Sequence, residues 1–186
     1  MNKIRWATIC LLFVGIYACT EEFTPKPRGY FRIDFPEKEY ARLNGTAPYA
    51  FDIASNASVK LKEGFWMDIN YPQYKAQIHL TYKPIDGNLL KLLEETRSLA
   101  YTHAQKAEGI AENVFENPAS RSYGILYEIE GNAASGIQFF VTDSTHHFLR
   151  GALYFLSSPN ADSLLPVQQY LLEDVVHLIE TVQWAE

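Results

Sequence analysis

The stretch FWMDINYPQYKAQIHLTYK, residues 65–83, decides the fold class. Its second half alternates cleanly: Ala76, Ile78, Leu80 and Tyr82 on one side, Lys75, Gln77, His79, Thr81 and Lys83 on the other. The first half sets Phe65, Met67, Ile69 and Tyr71 against Trp66, Asp68 and Asn70. Successive side chains of a strand point to opposite faces, so period two over such lengths predicts half-buried strands. Tyr71-Pro72-Gln73-Tyr74 supplies the turn between them. The chain therefore holds a hairpin with one apolar face to be covered.

Working outward, shorter strands are expected at 50–53 and 59–61. After the hairpin the period changes. Leu89, Leu92, Leu93, Thr96, Leu99 and Ala100 recur at helical spacing. Asp86 or Asn88 suits the cap and Gly109 the stop, giving a helix of roughly 18 residues. Four more strands are predicted at 110–116, 122–130, 135–142 and 147–156, with turns at Gly131-Asn132 and Asp143-Ser144. The unbroken apolar run LRGALYFL in the last strand predicts burial on both faces, at the centre of a sheet. A closing helix is expected with Asp162 or Ser163 as cap and Pro166 in its first turn. Leu171, Leu172, Val175, Leu178, Ile179 and Val182 form its apolar stripe, and Glu173, Asp174, His177 and Glu180 its wet face.

Strands, helix, meander and helix make an α+β protein, expected as a single twisted antiparallel sheet covered by two helices. The meander and the final helix ending in Val182-Gln183-Trp184 resemble the Mog1/PsbP-type α/β/α sandwich.

The N-terminus has a different composition. Lys3 and Arg5 precede an uncharged apolar run, residues 7–18, too short to cross a bilayer as a helix. Basic start, apolar run and small residue read as a secretory signal peptide over residues 1–18. The end of the run, Ile16-Tyr17-Ala18-Cys19, resembles a bacterial lipobox, which makes Cys19 the lipidated residue. The other cysteine, Cys10, leaves with the signal, so no internal disulfide is possible in the mature chain. Each buried CH₂ contributes ~0.8 kcal/mol, so two or more acyl chains, palmitate among them, anchor the protein firmly. Residues 19–48 are read as a tether and strap, and 49–186 as one α+β domain. Within the strap, Phe31, Ile33 and Phe35 share one side of an alternating segment bracketed by Pro25, Pro27 and Pro36. A linker would be polar and glycine-rich, so these three predict a short strand that docks, on its own sheet in preference to a partner's.

Net charge is −6, and losing Lys3 and Arg5 takes it to −8. Nucleic acid is thereby excluded as a partner, because binding it needs clustered Lys and Arg. No catalytic residues, metal ligands or cofactor are nominated. The five histidines lack ligand spacing, no G-x-S-x-G elbow occurs, and the mature cysteine is committed to lipid. Asp143-Ser144-Thr145 and Asp162-Ser163-Leu164 fit a short O-glycosylation pattern of exported Bacteroidota proteins, making Ser144 and Ser163 candidate sites.

The lipobox with PKPRGYFRIDFPEKEY, FWMDINYPQYKAQIHLTYKPI and HFLRGALYF closely resembles the gliding motility lipoprotein D family of the Bacteroidota. The resemblance implies a cell-envelope lipoprotein needed for gliding and associated with the type IX secretion and motility machinery. The partners it implies are the membrane through the lipid, and other gliding or secretion lipoproteins or outer-membrane machinery. The expected role is a non-enzymatic accessory acting through protein-protein interaction, on the periplasmic side of a membrane in preference to the cell surface. The alternative is an envelope glycan- or lipid-binding protein, favoured if exposed aromatics line a cleft. A third, an envelope hydrolase, calls for converging polar groups in a pocket.

Overall fold

The structure is a computed structural model that describes residues 33–103, 107–157 and 161–185. Cys19 and Phe31 lie outside them. From Ile33 onward the chain forms one compact unit.

Three strands make a small antiparallel sheet: β1 (Tyr40–Leu43), β2 (Tyr49–Ala54) and β10 (Gln183–Trp184), in the order β1-β2-β10. Seven make a large one: β3 (Ser58–Leu61), β4 (Met67–Tyr71), β5 (Ala76–Pro84), β6 (Ala107–Asn117), β7 (Ser122–Gly131), β8 (Ile137–Thr142) and β9 (His147–Phe155). Their order is β3-β4-β5-β9-β8-β7-β6, every pairing antiparallel. The α+β class with two helices holds, but two sheets replace the single one expected. Val182-Gln183-Trp184 is where the difference arises. Helix α2 (Ala161–Glu180) ends before it, and Gln183 and Trp184 turn back to pair with Ala50 and Tyr49. β2 is thus occupied on both edges by the two ends of the folded chain and never joins the hairpin sheet. A domain starting at Tyr49 would leave out β1, whose four residues pair with β2 from Phe51 to Ala54.

The hairpin at 67–84 forms as its alternation demands. Met67, Ile69, Tyr71, Ala76, Ile78 and Leu80 are buried on one face, here called the inner face. They pack with Phe139, Val141, Leu149 and Leu153 against Phe51 of β2 and Leu171, Val175 and Leu178 of α2. The run HFLRGALYF is the middle strand of the seven, buried on both sides as its composition requires. Gly151 sits there because the Phe139 ring lies over it; a Cβ would come within 2.2 Å of that ring. Opposite, helix α1 (Leu89–His103) places Leu92, Thr96 and Ala100 in one buried line. Leu92 and Ala100 pack on Tyr127, Phe140 and Phe148.

Other boundaries move for local reasons. Gly109 is inside β6, beside a bulge between Ala107 and Gly109, and does not stop α1. Pro166 lies well inside α2, which starts at Ala161, so Ser163 is a first-turn residue and not its cap. The largest correction is Asp174, expected on the wet face of α2 but only 4 % exposed. The strap covers that side of the helix. Lys38 Nζ donates to Asp174 Oδ1 at 2.7 Å and to the Tyr170 carbonyl at 2.6 Å, over the face of the Tyr170 ring. Tyr40 Oη is a second donor, 3.0 Å from the same carboxylate oxygen. A helical periodicity cannot reveal a partner that arrives from 136 residues away.

Candidate functional site: a polar groove on the uncovered half of the sheet

Strand register builds the site. Beside the Pro72–Tyr74 turn, Tyr71 pairs with Ala76, which sets Asp68 opposite His79. His79 faces Ala152 on β9, and Ala152 faces Gln138 on β8, so one row crosses four strands on the outer face. A neighbouring row runs Thr81, Arg150, Phe140, and another Asn70, Gln77, Tyr154. Helix α1 caps the side holding Phe140 and Phe148. On the other side a groove of about 400 Å³ lies open, bordered by Lys62, Trp66, Asp68, His79, Arg150 and Tyr154.

Asp68 is only 6 % exposed. Its Oδ1 lies 2.7 Å from His79 Nδ1, and its Oδ2 takes Lys62 Nζ at 2.6 Å. Burial alone would raise this carboxyl, but the hydrogen bonds and charges of Lys62 and His79 outweigh it and hold the group below the usual carboxylate range. The bond at Nδ1 also orients the imidazole, leaving Nε2 for whatever enters. Trp66 follows the short 3-10 turn Glu63–Phe65 and stands at the rim, 43 % exposed. Its indole N–H is already satisfied by the Tyr82 carbonyl at 3.1 Å, which fixes the ring and leaves its apolar face to solvent. Arg150 donates through Nη2 to Gln138 Oε1 at 2.7 Å, and Gln138 is fully buried. The groove therefore offers one rigid aromatic plate, one guanidinium and an oriented imidazole. It can bind, orient and hydrogen-bond a ligand.

The residues singled out from the sequence lie elsewhere. Ile33 is 40 % exposed. Phe35 is stacked on Tyr170 at 4.4 Å between ring centroids, and Tyr74 flanks it at 6.0 Å. The segment from Ile33 to Glu39 is not a strand; pairing begins at Tyr40, after Pro36 has been passed. Ser144 is exposed at the tip of the β8–β9 hairpin in a left-handed conformation, φ 66°. The Asp143 carboxylate holds this turn by accepting the Thr145, His146 and His147 amides. Those bonds overcome its burial and bring its pKa down to about 2. Ser163 is exposed on the first turn of α2. Among the described residues no group of three His, Cys, Asp or Glu could hold a metal ion.

A family model for the gliding motility lipoprotein GldD matches residues 20–184, nearly the whole chain. The chain belongs to this family. No curated protein matches it. The GldD family is one of lipoproteins, which places the chain in the cell envelope, held by its membrane anchor. Among the described residues no helix is long and apolar enough to cross a membrane. The groove was missed from the sequence because two of its residues, Asp68 and His79, looked like ordinary outward positions of two strands. Counting outward from the expected 71–74 turn pairs Asp68 with Gln77; only the observed pairing of Tyr71 with Ala76 brings it opposite His79. Arg150 gives no such signal, since β9 meets β5 only through tertiary structure.

Proposed function

We propose that this chain is a lipid-anchored, non-enzymatic accessory of the cell envelope that serves assembly or stability of the gliding apparatus and its associated type IX secretion machinery. The observation that carries the reading is how closely the fold follows the lipidation residue. The folded unit begins at Ile33, fourteen positions after Cys19. Fourteen residues span at most roughly 50 Å. The strap that follows is clamped to α2 by Lys38 and Asp174. Such a protein works at the membrane surface, beside envelope partners of its own kind, and the periplasmic side is the favoured one. The layering, with a helix on each face of the large sheet, supports the Mog1/PsbP-type likeness. The groove supports a recognition role over a hydrolytic one, since its groups are held as pairs: Asp68 with Lys62 and His79, Arg150 with Gln138.

Deletion of the gene in its native host, with complementation, tests this. Deletion abolishes colony spreading and lowers release of type IX cargo, and the wild-type gene restores both. A Cys19→Ala protein that is made but stays soluble fails to restore them. Full rescue by Cys19→Ala removes the need for the anchor, and unchanged cargo release removes the link to secretion. Ser144 and Ser163 are carried as O-glycosylation sites, and an intact mass equal to polypeptide plus lipid alone rules that out.

A further inference from the structure

Among the described residues, Arg150 in the groove has no carboxylate partner. Lys62 is paired with Asp68, but the partners of Arg150 are the uncharged Gln138 and Tyr154. Its Nε, and Nε2 of Gln138 beneath it, have no hydrogen-bond partner among the described residues. Burial pushes the guanidinium down from its usual value, although its Tyr154 neighbour opposes this. Buried charges in proteins are paired as a rule, so an arginine left without a carboxylate points to an anion from outside. That it does so in a chain of net charge −6 makes the local positive character selective. Beside it, Trp66 presents a flat apolar face, 43 % exposed, with its N–H already bonded to the Tyr82 carbonyl.

We infer that the groove binds the acidic end of an oligosaccharide, with Trp66 packed against the C–H face of a sugar ring and Arg150 paired with its carboxylate. A guanidinium matches a carboxylate in a bidentate fork, which a lysine cannot do. A saccharide ring has one apolar face and a polar perimeter, and the groove repeats this division. Trp66 meets the face, while His79 Nε2, the Thr81 hydroxyl and Lys62 border the perimeter. At about 400 Å³ the groove is near the small end of ligand sites, which run roughly 300–1,000 Å³, so it takes a terminal unit and leaves the remaining chain in solvent. The inference does not depend on the motility reading, and the two fail in separate experiments.

Calorimetric titration of the full-length protein in detergent micelles with trigalacturonic acid tests it. The acidic trisaccharide binds, and neutral galactotriose binds at least tenfold more weakly. Trp66→Ala weakens binding of the acidic trisaccharide tenfold or more, with an unchanged circular dichroism spectrum. Arg150→Lys, which keeps the charge but loses the fork, weakens it at least fivefold. No heat at millimolar trigalacturonic acid overturns the inference, as does equal binding of the neutral sugar. Inorganic phosphate that competes fully while Trp66→Ala binds as wild type also overturns it, leaving a plain anion pocket.

Discussion

The two halves of the outer face of the large sheet are built on the same strands and differ completely. β8 gives Phe140 to the half under α1 and Gln138 to the open half; β9 gives Phe148 to the first and Arg150 to the second. These are adjacent positions on one face, two residues apart. Helix α1 is ~10 Å across and packs on Tyr127, Phe140 and Phe148 of β7, β8 and β9, so it alone cannot cover seven strands spaced ~4.8 Å. The inner face has α2 and the small sheet together. Among the described residues the outer face has only α1, and where it stops the side chains become polar. The covered half is read as stability and the open half as function, and substitutions should separate them.

The largest effect is expected under the helix. Phe140 is 5 % exposed and stacked on Phe148 at 5.3 Å. Phe140→Ala leaves a cavity and should cost ~3–5 kcal/mol, read as a shift of the urea midpoint without a change in slope. A cost below ~1 kcal/mol would show that α1 is loosely docked and would erase the distinction between the halves.

Next comes the seam between them, Gln138 and Arg150. Arg150→Met strands the buried Gln138 amide and should cost ~1–3 kcal/mol. Adding Gln138→Met should restore most of the loss, because replacing both partners by apolar groups removes the unsatisfied group as well. If the double variant is worse than the single, the pair is structural and the open half is only an extension of the core.

How much of this was legible in the sequence follows from how far each signal reaches. The hairpin at 67–84, the helix over Leu92 and Ala100 and the central place of HFLRGALYF are local periodicities, and they were readable. The second sheet was not, since β1, β2 and β10 are short and are joined from both ends of the folded chain. Asp174 shows the same limit. Its spacing on α2 says solvent, and only Lys38 and Tyr40 from the strap say otherwise. Phe35 stood out by its alternation with Phe31 and Ile33, but nothing local shows that its ring stacks on Tyr170 of α2. The groove needed one long-range pairing, β5 with β9, to become visible.

Asp68 tests the open half through pH. Its carboxyl is held below the ordinary value near 3.8, so its contribution is fully present above that pH and is lost as pH falls through the lowered folded value. Lys62 and His79 are each more than 40 % exposed on their side chains, so solvent screens the pairs and Asp68→Asn should cost only ~1–2 kcal/mol at pH 7. The wild-type and variant stability curves should converge once pH has fallen through that lowered folded value. A constant difference down to pH 2 would assign the effect to packing instead of charge.

The smallest effect on stability is expected at Trp66, and it is the most informative. The ring is 43 % exposed and makes one hydrogen bond, to the Tyr82 carbonyl. Burying a large apolar side chain fully contributes ~1.5–3 kcal/mol, so Trp66→Ala should cost about 1 kcal/mol. A large exposed aromatic that contributes this little to the fold, in a groove whose arginine has no carboxylate of its own, is better explained by what it contacts from outside. Urea denaturation of Trp66→Ala and of Phe140→Ala under one set of conditions makes the contrast quantitative. A cost at Trp66 approaching that at Phe140 would make the indole a cover for the sheet edge, and the open half would then be core that α1 does not reach.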